Sequence, residues 1–379
     1  MGADASQKRS VALNAAVAAA IFCDNRSYVA RCPIKRRRIF VTILPPFVVN
    51  FSSPDEHRLL HSPKSASLTA MILSLCALPR LRLASCTLLI LAANCAGQAV
   101  APTAANLAPA ITADVTLFKY DTSTPLEVRK AGTEQRGAAT VRDLSFVSDG
   151  ERIKAYLVAP TAPGPHAAVL WVHWLGEPAT TNRTEFLAEA VDLAAHGVVS
   201  VLVDTMWAKP KWYQTRVPEE DFATSIHQTI ALRRAMDLLL AQPGADAKRV
   251  ALVGHDFGAM YGALAGAADR RAKTYVFMTP TPHFIDWALF GPKPKSPEEF
   301  KAQLARIDPV AFVPLLAPAS VFYQFGSTDN YVPAPRTLEF YAATGPHKQM
   351  ATYVVGHDLH TPLDNADRRA WLMRELKLK

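Results

Sequence analysis

Residues 249–266 read RVALVGHDFGAMYGALAG, and this stretch decides the fold. Val250–Gly254 is a short apolar run of the kind found in a strand buried on both faces. The chain then passes through His255, Asp256 and Phe257 to Gly258, where a helical pattern opens at once. So sharp a strand-to-helix turn forces its central residue, Asp256, to positive φ, a conformation that costs about 1–3 kcal/mol. Side chains two positions either side would collide, which accounts for Gly254 and Gly258. The helix N-terminus aims free N–H groups at the same spot and favours negative charge there. The pattern is small-x-nucleophile-x-small, with Asp256 where a serine usually stands.

The pattern outward from this turn is regular. Val141–Val147 and Ile153–Ala159 alternate about Asp149-Gly150, a hairpin signal. Ala167–His173 and Val198–Asp204 are continuous apolar runs, and Thr274–Met278, Ser320–Phe325 and Met350–Val355 are further strands. Helical periods cover Thr184–His196, Phe222–Gln242, 257–268, 334–343 and 364–377. This alternation predicts an α/β fold, a mostly parallel central sheet with helices on both faces.

The elbow and the order of later residues resemble the α/β-hydrolase superfamily over about residues 140–379. Gly326-Ser327-Thr328-Asp329 looks like the site of that family's acid, and Val354-Val355-Gly356-His357 the site of its histidine. Within the superfamily, HWLGEP at 173–178, the GAMYG helix and HDLH…DRRAWL resemble the dienelactone-hydrolase-like group. The GHDFG elbow instead resembles haloalkane dehalogenases and epoxide hydrolases.

The resemblance implies a catalytic set of Asp256, Asp329 and His357. A carboxylate suits displacement at saturated carbon, giving an alkyl-enzyme ester that His357-activated water would cleave while Asp329 holds the ring. The N–H of Phe257 and one from Trp174 or Leu175 would form the oxyanion hole. An esterase or lactonase, with Asp256 as a base on water, is the alternative of the same fold. A non-catalytic binding protein is the alternative of another class.

Phe257 stands where this type of elbow usually has Trp, so Trp174, Trp207 or Trp287 would have to supply an indole donor. A long cap domain is missing. A small lid from 281–312 and the 205–218 loop is expected, with His173, Trp207, Trp212, Tyr213 and Trp287 as candidate pocket residues. His173 and His255 read as structural, His360 and Asp286 as spare base and acid, and Arg233-Arg234 as a solvated face. No cofactor and no metal is implied. The expected partner is a small, largely uncharged molecule.

The composition, 50% hydrophobic and 20% charged, excludes a disordered chain. The net charge of +8 is concentrated upstream: residues 1–70 hold ten Lys/Arg and four Asp/Glu, and Arg80 and Arg82 add two more. Beyond them the balance is 29 against 29, so nothing calls for nucleic acid or an anionic membrane. All five cysteines lie at or before Cys95, which leaves the downstream domain without a thiolate or a disulfide.

Residues 1–70 read as disordered, either a basic arm or an over-extended start ahead of Met71. Residues 71–99 resemble a signal peptide, with Arg80 and Arg82, the apolar run 83–93 and small residues after it. Residues 100–110 read as a linker and 111–379 as the hydrolase domain. The expected location is extracytoplasmic if that signal operates and cytoplasmic otherwise, with membrane contact only if the leader is retained or lipidated near Cys95.

Overall fold

The computed structural model describes residues 28–31, 38–44, 48–52, 112–177 and 181–379. It divides into two units, Met1–Ala110 and Ile111–Lys379. The first unit contains a three-stranded antiparallel sheet of β1 (Tyr28–Arg31), β2 (Arg38–Leu44) and β3 (Val48–Ser52). The sequence reading gives no strand in this segment, where alternation is short and Pro45-Pro46 interrupts it. The expected 71–99 leader and 100–110 linker lie outside the described residues, as does Pro178.

The second unit is built on one nine-stranded sheet. Its early strands are β4 (Arg129–Arg136), β5 (Ala139–Ser148), β6 (Glu151–Pro160) and β7 (His166–Val172). Then come α1 (Leu187–Ala194), β8 (Val198–Val203), α2 (Trp212–Thr215) and α3 (Asp221–Leu240). The elbow follows in β9 (Ala245–His255) and α4 (Phe257–Asp269), then β10 (Thr274–Met278). Three short helices, α5 (Ile285–Ala288), α6 (Pro297–Ala305) and α7 (Pro309–Phe312), lead to β11 (Ser320–Gly326). The chain closes with α8 (Ala334–Ala343), β12 (Lys348–Tyr353) and α9 (Pro362–Glu375).

The strand order is β12-β11-β10-β9-β7-β8-β6-β5-β4. From β12 to β8 every neighbouring pair is parallel, while β6, β5 and β4 join antiparallel. All seven residues of β7 are buried, as a central parallel strand requires. Its side chains alternate between two cores: Ala168, Leu170 and Val172 face the layer of α3 and α4, while Ala167, Val169 and Trp171 face that of α1 and α9. Fully burying one such Val or Leu side chain stabilises the fold by about 1.5–3 kcal/mol.

One strand is absent from the sequence reading, and one expectation needs correction. β4 was legible in no pattern, because every residue of it is exposed and neither face selects apolar side chains. Arg233 and Arg234 are not a solvated face. Arg234 is only 4% exposed and donates to the carbonyls of Pro125 and Val147. Tyr120, from the segment ahead of the sheet, lies under both guanidinium groups.

Candidate active site

The elbow forms as the glycines require. Asp256 sits at φ 51°, ψ −115°, between β9 and the first residue of α4. Its N–H donates to the carbonyl of Met278 at 2.8 Å, which fastens the turn to β10. A Cβ on Gly254 would lie 2.6 Å from the nitrogen of Ala259; one on Gly258 would press into the carbonyl oxygen of Val172 and lie 2.8 Å from that of His173. Both positions therefore exclude any side chain, and the strained residue between them is held by packing on either side.

The C-terminal ends of β11 and β12 bring two further groups to this point. Tyr331 and Val332 donate their backbone N–H groups to Asp329 Oδ1 at 2.7 and 3.0 Å. Asp329 Oδ2 accepts from His357 Nδ1 at 2.8 Å. His357 Nε2 then faces Asp256 Oδ1 across 3.6 Å, and neither of these two atoms has a hydrogen-bond partner. Burial alone would push the His357 imidazolium to lower pKa, but the carboxylates of Asp256 and Asp329 outweigh it and raise the value to about 9. Burial would likewise raise Asp329; its bond to His357 and the two backbone N–H groups hold it below the ordinary carboxylate range.

The loop after β7 supplies backbone donors, and the structure separates its two candidates. Leu175 N–H donates to Asp256 Oδ2 at 3.3 Å. Trp174 N–H is turned away and donates to Glu185 Oε2 at 2.9 Å, so it is not an oxyanion donor. The N–H of Phe257 opens α4 and has no intrahelical acceptor by position. His173 shapes this loop. Its Nε2 accepts from Thr205 N–H at 3.3 Å, which leaves Nδ1 to donate to the Trp174 carbonyl at 2.9 Å. Burial lowers its pKa and favours that neutral form.

Aromatic rings surround His357. Trp174, Trp287 and Tyr331 stand with ring centroids 5.7, 5.5 and 5.4 Å from that of His357. Asp256 is 1% exposed beneath them. The indole N–H groups of Trp174 and Trp287 are buried and have no partner. Trp287 belongs to α5, whose carbonyls are fastened from the 205–218 loop side: Tyr213 donates its hydroxyl to Trp287, and Arg216 donates to Ala288. Trp212, Tyr213, Phe257, Tyr261 and Phe284 line a narrow, mainly apolar pocket beside the elbow. A wider cleft of ≈ 680 Å³ lies along the β5–β6 hairpin and the loop after β8, and none of Asp256, Asp329 and His357 lines it.

Of the candidate pocket residues, Trp212 and Tyr213 line this pocket, and Trp287 stands beside His357 without lining it. His173 is committed to the loop. Trp207 is packed in the core at 1% exposure and donates its indole N–H to the His173 carbonyl, so neither lines the pocket. Asp286, the spare acid, bonds Thr281 and Arg336 instead. Glu185 and Tyr331 were not among the expected residues. A lone Glu ahead of a helix and a Tyr two places past the acid carry no spacing signal. Among the described residues, no group of three His, Cys, Asp or Glu side chains is placed to hold a metal ion.

Comparison with known proteins gives two kinds of likeness. The sequence profile of the alpha/beta hydrolase family matches residues 162–376, more than half of the chain. No curated protein matches. Among solved structures, acetyl xylan esterase 1 from Thermoanaerobacterium sp. JW/SL YS485 is 18% identical, with a TM-score of 0.57 over 69% of this chain and 90% of that one. Acetyl xylan esterase from Paenibacillus sp. R4 is 17% identical, with 0.55 over 66% and 90%. A 2,6-dihydroxy-pseudo-oxynicotine hydrolase is 16% identical, with 0.51 over 62% and 68%. At these identities the structural likeness is one of fold.

Proposed function

The chain belongs to the alpha/beta hydrolase family and is a hydrolase, and from that premise we propose that it works through nucleophilic Asp256 on a small, largely uncharged molecule. The observation that carries this reading is the division of labour within one carboxylate. Asp256 Oδ2 accepts from the Leu175 amide, while Oδ1 is unpartnered and faces His357.

Oδ1 attacks a saturated carbon. The bond from carbon to the leaving group breaks, and the leaving group departs with the electron pair. The product is an alkyl ester of Asp256 whose carbonyl oxygen is Oδ2. His357 removes a proton from water, and the hydroxide adds to the Asp256 carboxyl carbon. Charge gathers on Oδ2, where the Leu175 and Phe257 N–H groups oppose it. Collapse expels the alkoxide, which takes the proton from His357, and the Asp256 carboxyl loses its own proton to solvent.

The unpartnered indole N–H groups of Trp174 and Trp287 support a leaving group that departs as an anion, such as a halide. They stand in for the Trp that this chain replaces with Phe257. An epoxide has less support, since the Tyr213 hydroxyl is already spent on the Trp287 carbonyl. Ester or lactone hydrolysis, with Asp256 as a base on water, is the second reading. It is favoured by solved neighbours that are named esterases, and by Asp256 Oδ1 and His357 Nε2, which both have no partner and are free to take up a water.

The test uses 1-bromobutane and p-nitrophenyl butyrate with the parent protein, Asp256→Asn and His357→Gln. Bromide release that disappears in Asp256→Asn, with a butyl adduct accumulating on His357→Gln by mass spectrometry, supports the displacement reading. Ester turnover with no adduct supports the second. Inertness of all three proteins toward both probes overturns the two readings together. We also propose export of the mature chain through the 71–99 segment. Mass spectrometry of the natural N-terminus would find it near residues 99–101, and an uncleaved start overturns this.

A further inference from the structure

The loops that meet at the triad are also joined beneath it. Glu185 lies just ahead of α1 and is used nowhere in the chemistry above. One of its carboxylate oxygens accepts from Trp174 N–H at 2.9 Å, and the other meets His255 Nδ1 at 2.7 Å. His255 Nε2 lies 3.0 Å from the carbonyl oxygen of His357. The Trp174 indole stacks on the His255 ring at 5.1 Å and 14°. The Glu185 side chain is 2% exposed and that of His255 is fully buried.

Burial opposes ionisation of Glu185, yet the His255 ring and the Trp174 amide hold its carboxyl below the ordinary range. An ionised carboxylate and a carbonyl both only accept. Each nitrogen of His255 faces one of these oxygens, and the ring is clamped between Glu185 and the His357 carbonyl. Such a buried pair contributes little net stability, since apolar side chains of equal volume often serve a core as well. Apolar side chains have no donors and acceptors aimed at three separate loops.

We propose that Glu185 and His255 are positioning residues: a buried tie that sets the Leu175 amide and the His357 ring against Asp256. The tie rests on the triad reading given above. Fixing Trp174 N–H on Glu185 turns the next amide, that of Leu175, toward Asp256 Oδ2. Holding the His357 carbonyl anchors the backbone from which its ring reaches Asp256.

The test reads the titration of the His357 ring by NMR, which needs no substrate. This ring faces Asp256, Asp329, Tyr331 and, at 5.9 Å, His255. His255 in turn faces Glu185, His357 and, at 6.2 Å, His360. His255→Leu leaves in place both carboxylates that raise the His357 value, Asp256 and Asp329. Loosening the ring from Asp256 would lower it. We expect His255→Leu to lower it by about one pH unit; an unchanged or higher value overturns the tie.

Glu185→Ala and Glu185→Gln have equal charge, so their difference isolates the hydrogen bonds and decides the matter if His255→Leu does not fold. Glu185→Gln keeps an acceptor for Trp174 N–H and should leave His357 near its parental value, whereas Glu185→Ala should lower it. Equal values for the two variants overturn the proposal. Bromide release from 1-bromobutane by Asp256→Asn would sink the nucleophile reading and leave these titrations standing, so the two failures are distinguishable.

Discussion

The backbone N–H of Leu175 lies 3.3 Å from Oδ2 of Asp256, so under the proposed displacement the Asp256 carboxylate already occupies the hole that would receive charge in the second chemical step. An external ester carbonyl would have to displace it. The alkyl ester of Asp256 would not, because its carbonyl oxygen starts in place.

This relationship makes the first prediction. Leu175→Pro removes the donor and should slow breakdown of the alkyl-enzyme by about 10²–10³-fold, the usual loss for one such donor. Leu175→Ala keeps the amide and should stay within a few-fold of the parent. Rapid-quench mass spectrometry of the butyl adduct reads the step directly. Equal decay in the two variants removes Leu175 from the oxyanion hole.

The raised pKa of His357 makes the second. The folded value of about 9 lies above the ordinary 6.5, so binding the proton favours the folded state. This stabilisation is fully present below pH 6.5 and is lost as pH rises through 9. The parent Tm should fall by a few degrees across that window, and the Asp256→Asn Tm should fall less, since one of the two carboxylates holding the proton is gone. Alkylation of Asp256 removes the same charge. His357 should therefore become a free base at lower pH in the intermediate than in the resting enzyme. A kcat profile that tracks the resting titration would contradict this.

How much of this was legible in the sequence depended on whether a local rule applied. The elbow was readable because sterics at Gly254 and Gly258 and the buried run before them constrain neighbouring residues. Asp329 and His357 were readable because each follows a strand whose alternation with helices fixes its end of the sheet. β4 was not readable, since an edge strand exposed along its whole length selects for nothing. Glu185 was not either. Its partner His255 is 70 residues away, and the His357 carbonyl that His255 meets is 102 further on, so only the folded sheet brings them together. Arg234 was misread for the same reason: Tyr120, which covers it, comes from more than a hundred residues away.

Backbone strain at Asp256 makes the third prediction. At φ 51° and ψ −115° a Cβ is unfavourable, at a cost of about 1–3 kcal/mol. Replacing Ala by Gly usually costs about 0.5–1 kcal/mol. At this site the order should reverse, with Asp256→Gly more stable than Asp256→Ala by about 1 kcal/mol in urea unfolding. Both variants lack the carboxylate and both should be inactive, which separates strain from charge. The usual order, with Ala the more stable, would mean that the elbow relaxes once the carboxylate is gone.

The last prediction concerns the two indoles. Trp174 and Trp287 flank His357, and each has a buried N–H with no acceptor. A buried donor left unsatisfied costs about 1–3 kcal/mol, and a developing anion would recover that cost in the transition state rather than the ground state. Trp287→Phe keeps most of the apolar surface over the triad and removes only the donor. It should lower kcat/KM for bromide release from 1-bromobutane by about tenfold or more, an effect of about 1.4 kcal/mol. It should leave decay of the butyl-enzyme unchanged, because the leaving group has gone before water attacks. Slowing of both steps alike would make Trp287 a lid residue that acts on access or on His357. Slowing of the first step alone makes its N–H a leaving-group donor.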